Sequence, residues 1–354
     1  MRAEIKIVAA FDSFKGCLTA RQACGAALEA VLSQHPQART LALPLSDGGE
    51  GLVDCLRVLP GMHSHRCRVR GPLGDVVEAE YLSDGGTAVI EVASACGLTL
   101  VEASRRDVMN ADTYGVGQLI ADALRSGCGK LVIGLGGTAT CDGGCAMVEA
   151  LRDGGVDMKA LGAEVVLASD VNNPLCGPEG AARVFAPQKG ATAAQVEELE
   201  ERLRAFARKT KEEGWASPDL ARYPGAGAAG GLGYALMAYL GARMQSGIET
   251  VLSLLGFDEA IRDADLVLTG EGKSDRQTLM GKAPSGVLRH SLEAGVPVAL
   301  LSGAVEDEAA LKAAGFACVE SINEGDCRPL EELMRPETAT AQLQEAVRRV
   351  LLKI

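Results

Sequence analysis

The stretch at 133–144, IGLGGTATCDGG, constrains the fold more than any other part of this chain. It follows the apolar run KLVI at 130–133 and leads into CAMVEAL at 145–151, whose spacing continues as a helix. Strand, Gly-rich turn and helix, in that order, present backbone N–H groups to an anion at a helix N-terminus. Gly134, Gly136 and Gly137 permit close backbone approach, Thr138 and Thr140 add hydroxyl donors, and Asp142 adds a carboxylate. Taken alone, such a loop is equally a Gly-rich connection with a helix cap.

The same rhythm recurs at both ends of the chain. Residues 5–11 read as a buried strand, DSFKG at 12–16 as the turn after it, and Ala20, Ala23, Cys24, Ala27, Leu28, Val31 and Leu32 recur at helical spacing. Thr19 and Gln22 stand where a capping box needs them. A second strand at 40–45 completes a βαβ unit with a right-handed crossover. Towards the other end, a strand at 265–269 runs into GEGK at 270–273, followed by a helix at 285–293 and a strand at 296–301. Leu343, Ala346, Val347, Val350 and Leu351 mark a final helix.

The middle departs from this pattern. Segments 76–82 and 87–92 form a hairpin through DGG at 84–86. A helix at 115–125 feeds the central strand, and a strand at 165–169 ends in DVNNP at 170–174. Residues 193–213 are a charged, solvated helix, and PGAGAAGGLG at 224–233 has too many glycines for an ordinary helix start. The expectation is an α/β protein of two α/β domains. Residues 1–64 plus 260–354 form a Rossmann-like doubly wound domain, and 65–259 an inserted mixed-sheet α/β domain, with the active site expected in the cleft between them.

Composition removes several function classes. A net charge of −12 argues against nucleic acid, which needs a basic footprint, but leaves room for a locally positive cleft that binds small anions. No apolar run approaches a membrane span, and the first sixteen residues read as a strand and turn rather than a signal peptide. Eleven cysteines, an odd number without C-x-x-C pairs, fit reduced thiols in a cytoplasmic protein better than a zinc site.

The P-loop pattern fails, because Val267 stands where its first Gly belongs before GKS at 272–274. Residues 134–139 match the looser G-x-G-x-x-A, but run on into TCDGG instead of opening a helix directly. The remaining signal is a set of Gly turns at strand ends that carry carboxylates, lysines or both: Asp12 with Lys15, Asp47 with Glu50, Asp142, Asp170, Lys189, Glu271 with Lys273 and Asp275, and Lys282. Phosphoryl transfer needs such parts: cations and N–H groups for phosphates, and a carboxylate for the hydroxyl proton. Any single Asp here is as readily a turn residue, so the case rests on joint occurrence.

On these residues the chain resembles the type I glycerate kinase family along nearly its whole length. The resemblance is carried by DSFKG at 12–16, PLSDGGEG at 44–51, YGVG at 114–117, the 133–144 stretch, DVNNPL at 170–175, PQKG at 187–190 and 224–233. It continues in GEGK at 270–273 and Asp275, Gln277, Thr278, Gly281 and Lys282. It implies a kinase of D-glycerate that uses ATP and Mg²⁺, with two α/β domains. The sequence departs from the family at Phe11 (usually Pro), Cys17 (Ser), Ser46 (Ala), Leu52 (Thr) and Asn172 (Asp), and in a shortened 153–164 segment.

The expected site follows from the motifs and the resemblance together. Asp170 is the expected base, with Mg²⁺ coordination as its rival role, and Lys282 and Asp275 are the other catalytic candidates. Lys15 is expected to hold the glycerate carboxylate, with Asp12, Ser13 and Asp47 beside it. Gly136, Gly137, Thr138, Thr140, Gly227 and Gly230 are expected to bind the nucleotide phosphates, and Glu271 and Asp47 the metal. Resemblance to bacterial members leans towards 2-phosphoglycerate, with transfer to the 3-hydroxyl as the alternative. An NAD-type dehydrogenase and a two-domain sugar-acid-binding sensor are the competing classes. D-glycerate and ATP are the expected partners of a monomer or homodimer that binds neither nucleic acid nor membrane.

Overall fold

Apolar runs that end at Gly, Ser or Asp become the strands of this protein, and the turns after them become its functional loops. A computed structural model describes residues 5–353. In chain order its strands are β1 (Lys6–Phe11), β2 (Arg39–Ala42), β3 (His63–Arg70), β4 (Val76–Ser83), β5 (Thr87–Glu91), β6 (Lys130–Gly134) and β7 (Glu164–Ala168). They continue as β8 (Arg243–Gln245), β9 (Leu266–Gly270), β10 (Lys273–Ser274), β11 (Val298–Ser302), β12 (Ala304–Val305) and β13 (Cys318–Ser321). The chain divides into two contact units, each with its own large sheet and core.

The first unit holds a five-stranded sheet in the order β13-β11-β9-β1-β2, parallel throughout. The chain builds outward from β1 in one direction to β2 and in the other through β9, so the order reverses between β1 and β9. In open parallel sheets a ligand sits outside the carboxyl ends of the strands at such a reversal. Helix Ala20–Gln34 packs against helix Pro336–Leu351, burying Ala23, Ala27 and Val31 with Leu343, Ala346, Val347 and Val350. The first of these helices starts where the sequence predicts. Gln22 N donates to Thr19 Oγ1 (3.2 Å), and Thr19 N donates to Gln22 Oε1 (2.9 Å).

The second unit holds a six-stranded mixed sheet, β3-β4-β5-β6-β7-β8. The pairs β3–β4 and β4–β5 are antiparallel, which includes the expected hairpin; β5 to β8 pair in parallel. Helix Tyr114–Arg125 buries Val116, Leu119, Ile120 and Ala123 against this sheet. The 153–164 connection holds a single 3₁₀ turn, Met158–Ala160, in which Asp157 accepts from the N–H groups of Lys159 and Ala160.

The first unit comprises Met1–Asp47, Asp54–Leu59 and Ile248–Ile354; the second comprises Gly48–Val53 and Pro60–Gly247. These divisions differ from the expected 64/65 and 259/260. Ile248 and Leu252 lie against Gly286 of helix Ala283–Ala294, which draws them into the first unit. Gly48, at φ +87°, lies against Ala168: a Cβ there would meet the Ala168 carbonyl oxygen at 2.9 Å, so this turn belongs with the second. Among the described residues no helix is long and apolar enough to cross a membrane.

Candidate active site

In the first unit the carboxyl ends of β1, β9, β11 and β13 open onto a cavity of about 400 Å³. Pairing sets its floor. Phe11 is in register with Gly270, and Asp12 N donates to Gly270 O (3.0 Å), which brings the turns after β1 and β9 together. After β1, Phe14 N and Leu18 N each donate to the other's carbonyl (2.9 and 3.0 Å), and Gly16 takes φ +74°. That tight loop leaves Lys15 exposed at its tip. Asp12, Ser13, Lys15, Asp47, Glu271, Lys273 and Lys282 all line the cavity.

The electrostatics distinguish these groups. Burial, then the neighbouring Asp47 carboxylate and more weakly that of Glu271, push Asp12 up to about 7, against the smaller opposing pull of the Ser13 N–H and Lys15. Lys282 Nζ lies 3.3 Å from Glu271 Oε2, and Lys273 Nζ lies 2.8 Å from Glu306 Oε1. Among the described residues Lys15 makes no ion pair.

Two of the expected site residues are engaged within the protein. Glu271 was expected as a metal ligand, but its Oε1 accepts from Thr278 Oγ1 (2.6 Å) and Ser274 Oγ (3.2 Å), and its Oε2 faces Lys282. Both Glu271 oxygens thus have partners within the protein, and among the described residues no group of three or more His, Cys, Asp or Glu forms a metal cage. Asp275, expected as catalytic, caps the 3₁₀ turn Arg276–Leu279: its Oδ1 accepts from Gln277 N (2.8 Å), and its N–H donates to Thr278 Oγ1 (3.0 Å). It does not line the cavity.

In the second unit the 133–144 loop follows β6 as predicted. A Cβ on Gly136 would stand 2.8 Å from Gly49 Cα, so glycine is required for the two turns to pack. Ala139 N donates to Cys96 O (2.8 Å) and Leu98 N donates to Gly137 O (2.7 Å). The N–H groups of Gly136, Gly137 and Thr138 have no protein acceptor among the described residues. Lys189 Nζ donates to Thr138 Oγ1 (2.9 Å) and to the Thr140 carbonyl (2.6 Å). Gly137 also lines a cavity of about 470 Å³ with Arg66, Glu50, Glu78, Glu80 and Glu91.

Three expected phosphate donors are buried. Gly227 N donates to Asn173 O (2.9 Å) within a buried turn. Gly230 is buried under the loop, where a Cβ would meet the Thr140 carbonyl oxygen at 2.1 Å; its own carbonyl accepts from Gly143 N (3.1 Å). Thr140 is itself fully buried. These residues pack the loop and are not exposed to a ligand. Asp170 lies exposed after β7 and accepts from Gly247 N (3.2 Å).

The sequence profile described as the glycerate kinase family matches residues 7–159 and 152–354. The chain belongs to this family. The two matched segments overlap at 152–159. The chain is 42% identical to a glycerate kinase of Halalkalibacterium halodurans over 84% of its length and 85% of the relative's. It is 39% identical to glycerate 2-kinase of Escherichia coli K12, covering 86% of each. Its fold is similar to a crystal structure named as a glycerate kinase 2 from Salmonella typhimurium LT2, at TM-score 0.84 and 36% identity, covering 99% of this chain and 98% of that one.

Sequence reasoning missed one side of the first unit's cavity. Leu330, Leu333, Met334 and Ala339 supply an apolar wall, and Asn323 follows β13 at its rim. The only local signal was Glu-Gly-Asp at 324–326 after a strand, and no motif marks the wall. The family's glycine-rich turns, by contrast, all announce themselves through composition.

Proposed function

We propose that this chain transfers a phosphoryl group from ATP, bound as its Mg²⁺ complex, to D-glycerate, and that the product is 2-phosphoglycerate. The observation that carries this reading is a carboxyl group poised near neutrality, Asp12, in one cavity with a lysine that makes no ion pair, Lys15, in a chain of the glycerate kinase family. The 2-position is supported by the 39% identity to a relative named glycerate 2-kinase.

In this reading the Lys15 ammonium pairs with the substrate carboxylate, and Ser13 and Asp47 hold the other hydroxyl. Asp12, ionised, accepts the proton of the 2-hydroxyl as that oxygen attacks the γ-phosphorus; the bond to ADP breaks and its electrons leave with ADP. Lys282, leashed to Glu271, adds positive charge for the transferring group. The free N–H groups of Gly136, Gly137 and Thr138 take phosphate oxygens. Mg²⁺ bound with the nucleotide would neutralise part of the charge on its phosphates. Asp12 replaces Asp170 as the proposed base because it shares the cavity of Lys15 and its proton affinity is matched to neutral pH. A cytoplasmic setting is supported by the cysteines, none of which forms a disulfide.

Incubation with ATP, Mg²⁺ and D-glycerate, followed by phosphorus NMR, is expected to show 2-phosphoglycerate. A 3-phosphoglycerate signal would overturn the position of transfer, and no phosphoester from folded protein would overturn the activity. Lys15→Ala is expected to raise the KM for glycerate roughly tenfold or more, with a smaller change in kcat, because it removes binding common to ground and transition states. An unchanged KM would remove Lys15 from the substrate site.

A further inference from the structure

Lys189 sits at the end of the short turn Pro187–Lys189 and is only 4% exposed. It belongs to PQKG at 187–190, a motif that the proposed reaction leaves without a role. Among the described residues no carboxylate stands within ion-pair distance of it. The ionisable groups that face it are Cys96, Cys141 and Asp142. Asp142 is committed elsewhere: its carboxylate accepts from Thr113 N and Oγ1 (3.1 and 2.7 Å), Gly144 N (3.1 Å) and Ala146 N (3.3 Å). The thiols stay protonated, since burial pushes Cys96 up to about 12 and Cys141 up to about 11.

An ammonium buried without a counter-charge is held at an expense of several kcal/mol. Burial accordingly lowers the proton affinity of Lys189. What the ammonium does touch is the loop. Because Thr138 Oγ1 accepts from Nζ, the hydroxyl's own proton is left to donate outward, on the same turn as the open N–H groups of Gly136, Gly137 and Thr138. An anion seated on that turn would supply the missing charge.

We propose that Lys189 is the buried counter-charge and positioning residue for phosphate oxygens bound at the Gly136, Gly137 and Thr138 N–H groups and the Thr138 hydroxyl. It acts through the loop and does not touch the ligand. The inference rests on the reading of this loop as the nucleotide-phosphate site. A bound anion stabilises the ammonium, so binding raises its proton affinity: on the alkaline side binding takes up a proton, and affinity falls as pH rises. The charged groups beside Gly137 are Glu50, Glu78, Glu80, Glu91 and Arg66.

The test is calorimetric titration of the full chain with ATP and with inorganic tripolyphosphate, at neutral and alkaline pH, in two buffers of different ionisation heat. Proton uptake on the alkaline side is expected for both, with affinity falling by up to about tenfold per pH unit. The uncharged Lys189→Met variant is expected to bind ATP about tenfold or more weakly, to lose the uptake, and to keep its KM for glycerate within about twofold. Wild-type binding without uptake, or near-wild-type affinity in Lys189→Met, overturns the inference. If the variant does not fold, the wild-type uptake alone decides. Tripolyphosphate binding with uptake, in protein that leaves glycerate unphosphorylated, supports the loop site and overturns only the kinase reading; turnover without uptake overturns only the role of Lys189.

Discussion

Asp12→Asn is expected to abolish most turnover and at the same time make the protein more stable above neutral pH. The loss follows from the proton: an amide cannot accept it, and removing a positioned base lowers kcat by roughly 10²- to 10⁴-fold. The wild-type rate should rise with pH up to about 7 and level off above it, because the base works only when ionised. The stability sign runs opposite. The folded-state pKa of Asp12 is raised from 3.8 to about 7, so between these values the folded state binds more protons than the unfolded state, and stability falls as pH rises through the window. At pH above it, keeping the carboxylate ionised against its burial and the charges of Asp47 and Glu271 costs on the order of 4 kcal/mol. The neutral Asn escapes both the burial of a charge and that repulsion, so its Tm should exceed wild type by a few degrees. The check is a kcat–pH profile alongside thermal unfolding, with Asp170→Asn in parallel. An Asp12→Asn enzyme near wild-type rate, beside a dead Asp170→Asn, would return the base to Asp170.

Gly270→Ala is expected to be among the most destabilising single changes in the first unit. Gly270 ends β9 between β1 and β11, and a Cβ there would lie 1.7 Å from the Leu301 carbonyl oxygen. That neighbour is backbone of the adjoining strand and cannot rotate away. Separating β9 from β11 would also shift Glu271, whose carboxylate ties Ser274, Thr278 and Lys282 together. A loss of about 3–5 kcal/mol is expected, measured as a drop in the urea or thermal midpoint, with activity falling before global unfolding. A midpoint within a degree or two of wild type would show that the strands part easily at this position.

Much of the site was legible because its signals are local. A glycine after an apolar run marks a turn wherever the chain goes, and Asp12, Lys15, Asp47, Glu271 and Lys282 were singled out from such turns. The capping box at Thr19 and Gln22 and the β4–β5 hairpin were readable for the same reason. Gly227 and Gly230 show the limit of that signal. Glycine marks either an opening for a ligand or a place where another backbone comes close, and composition does not distinguish the two. Here Asn173 takes the N–H of one, and the Thr140 carbonyl fills the space beside the other.

By itself the sequence determined the alternation of strands, turns and helices, the two-part α/β architecture and the family, since each rests on apolar period and short-range turn chemistry. Only the tertiary structure decided what the polar groups do. Asp12 is poised near neutrality because the fold buries it and brings Asp47, and more weakly Glu271, from turns far apart in the chain into its cavity. Glu271 is tied to two hydroxyls and a lysine that the fold places around it, and Lys189 is a buried charge whose ammonium is held by Thr138 and the Thr140 carbonyl. Proton affinity and hydrogen-bond occupancy depend on distances through space, and those are set by the order in which strands pair.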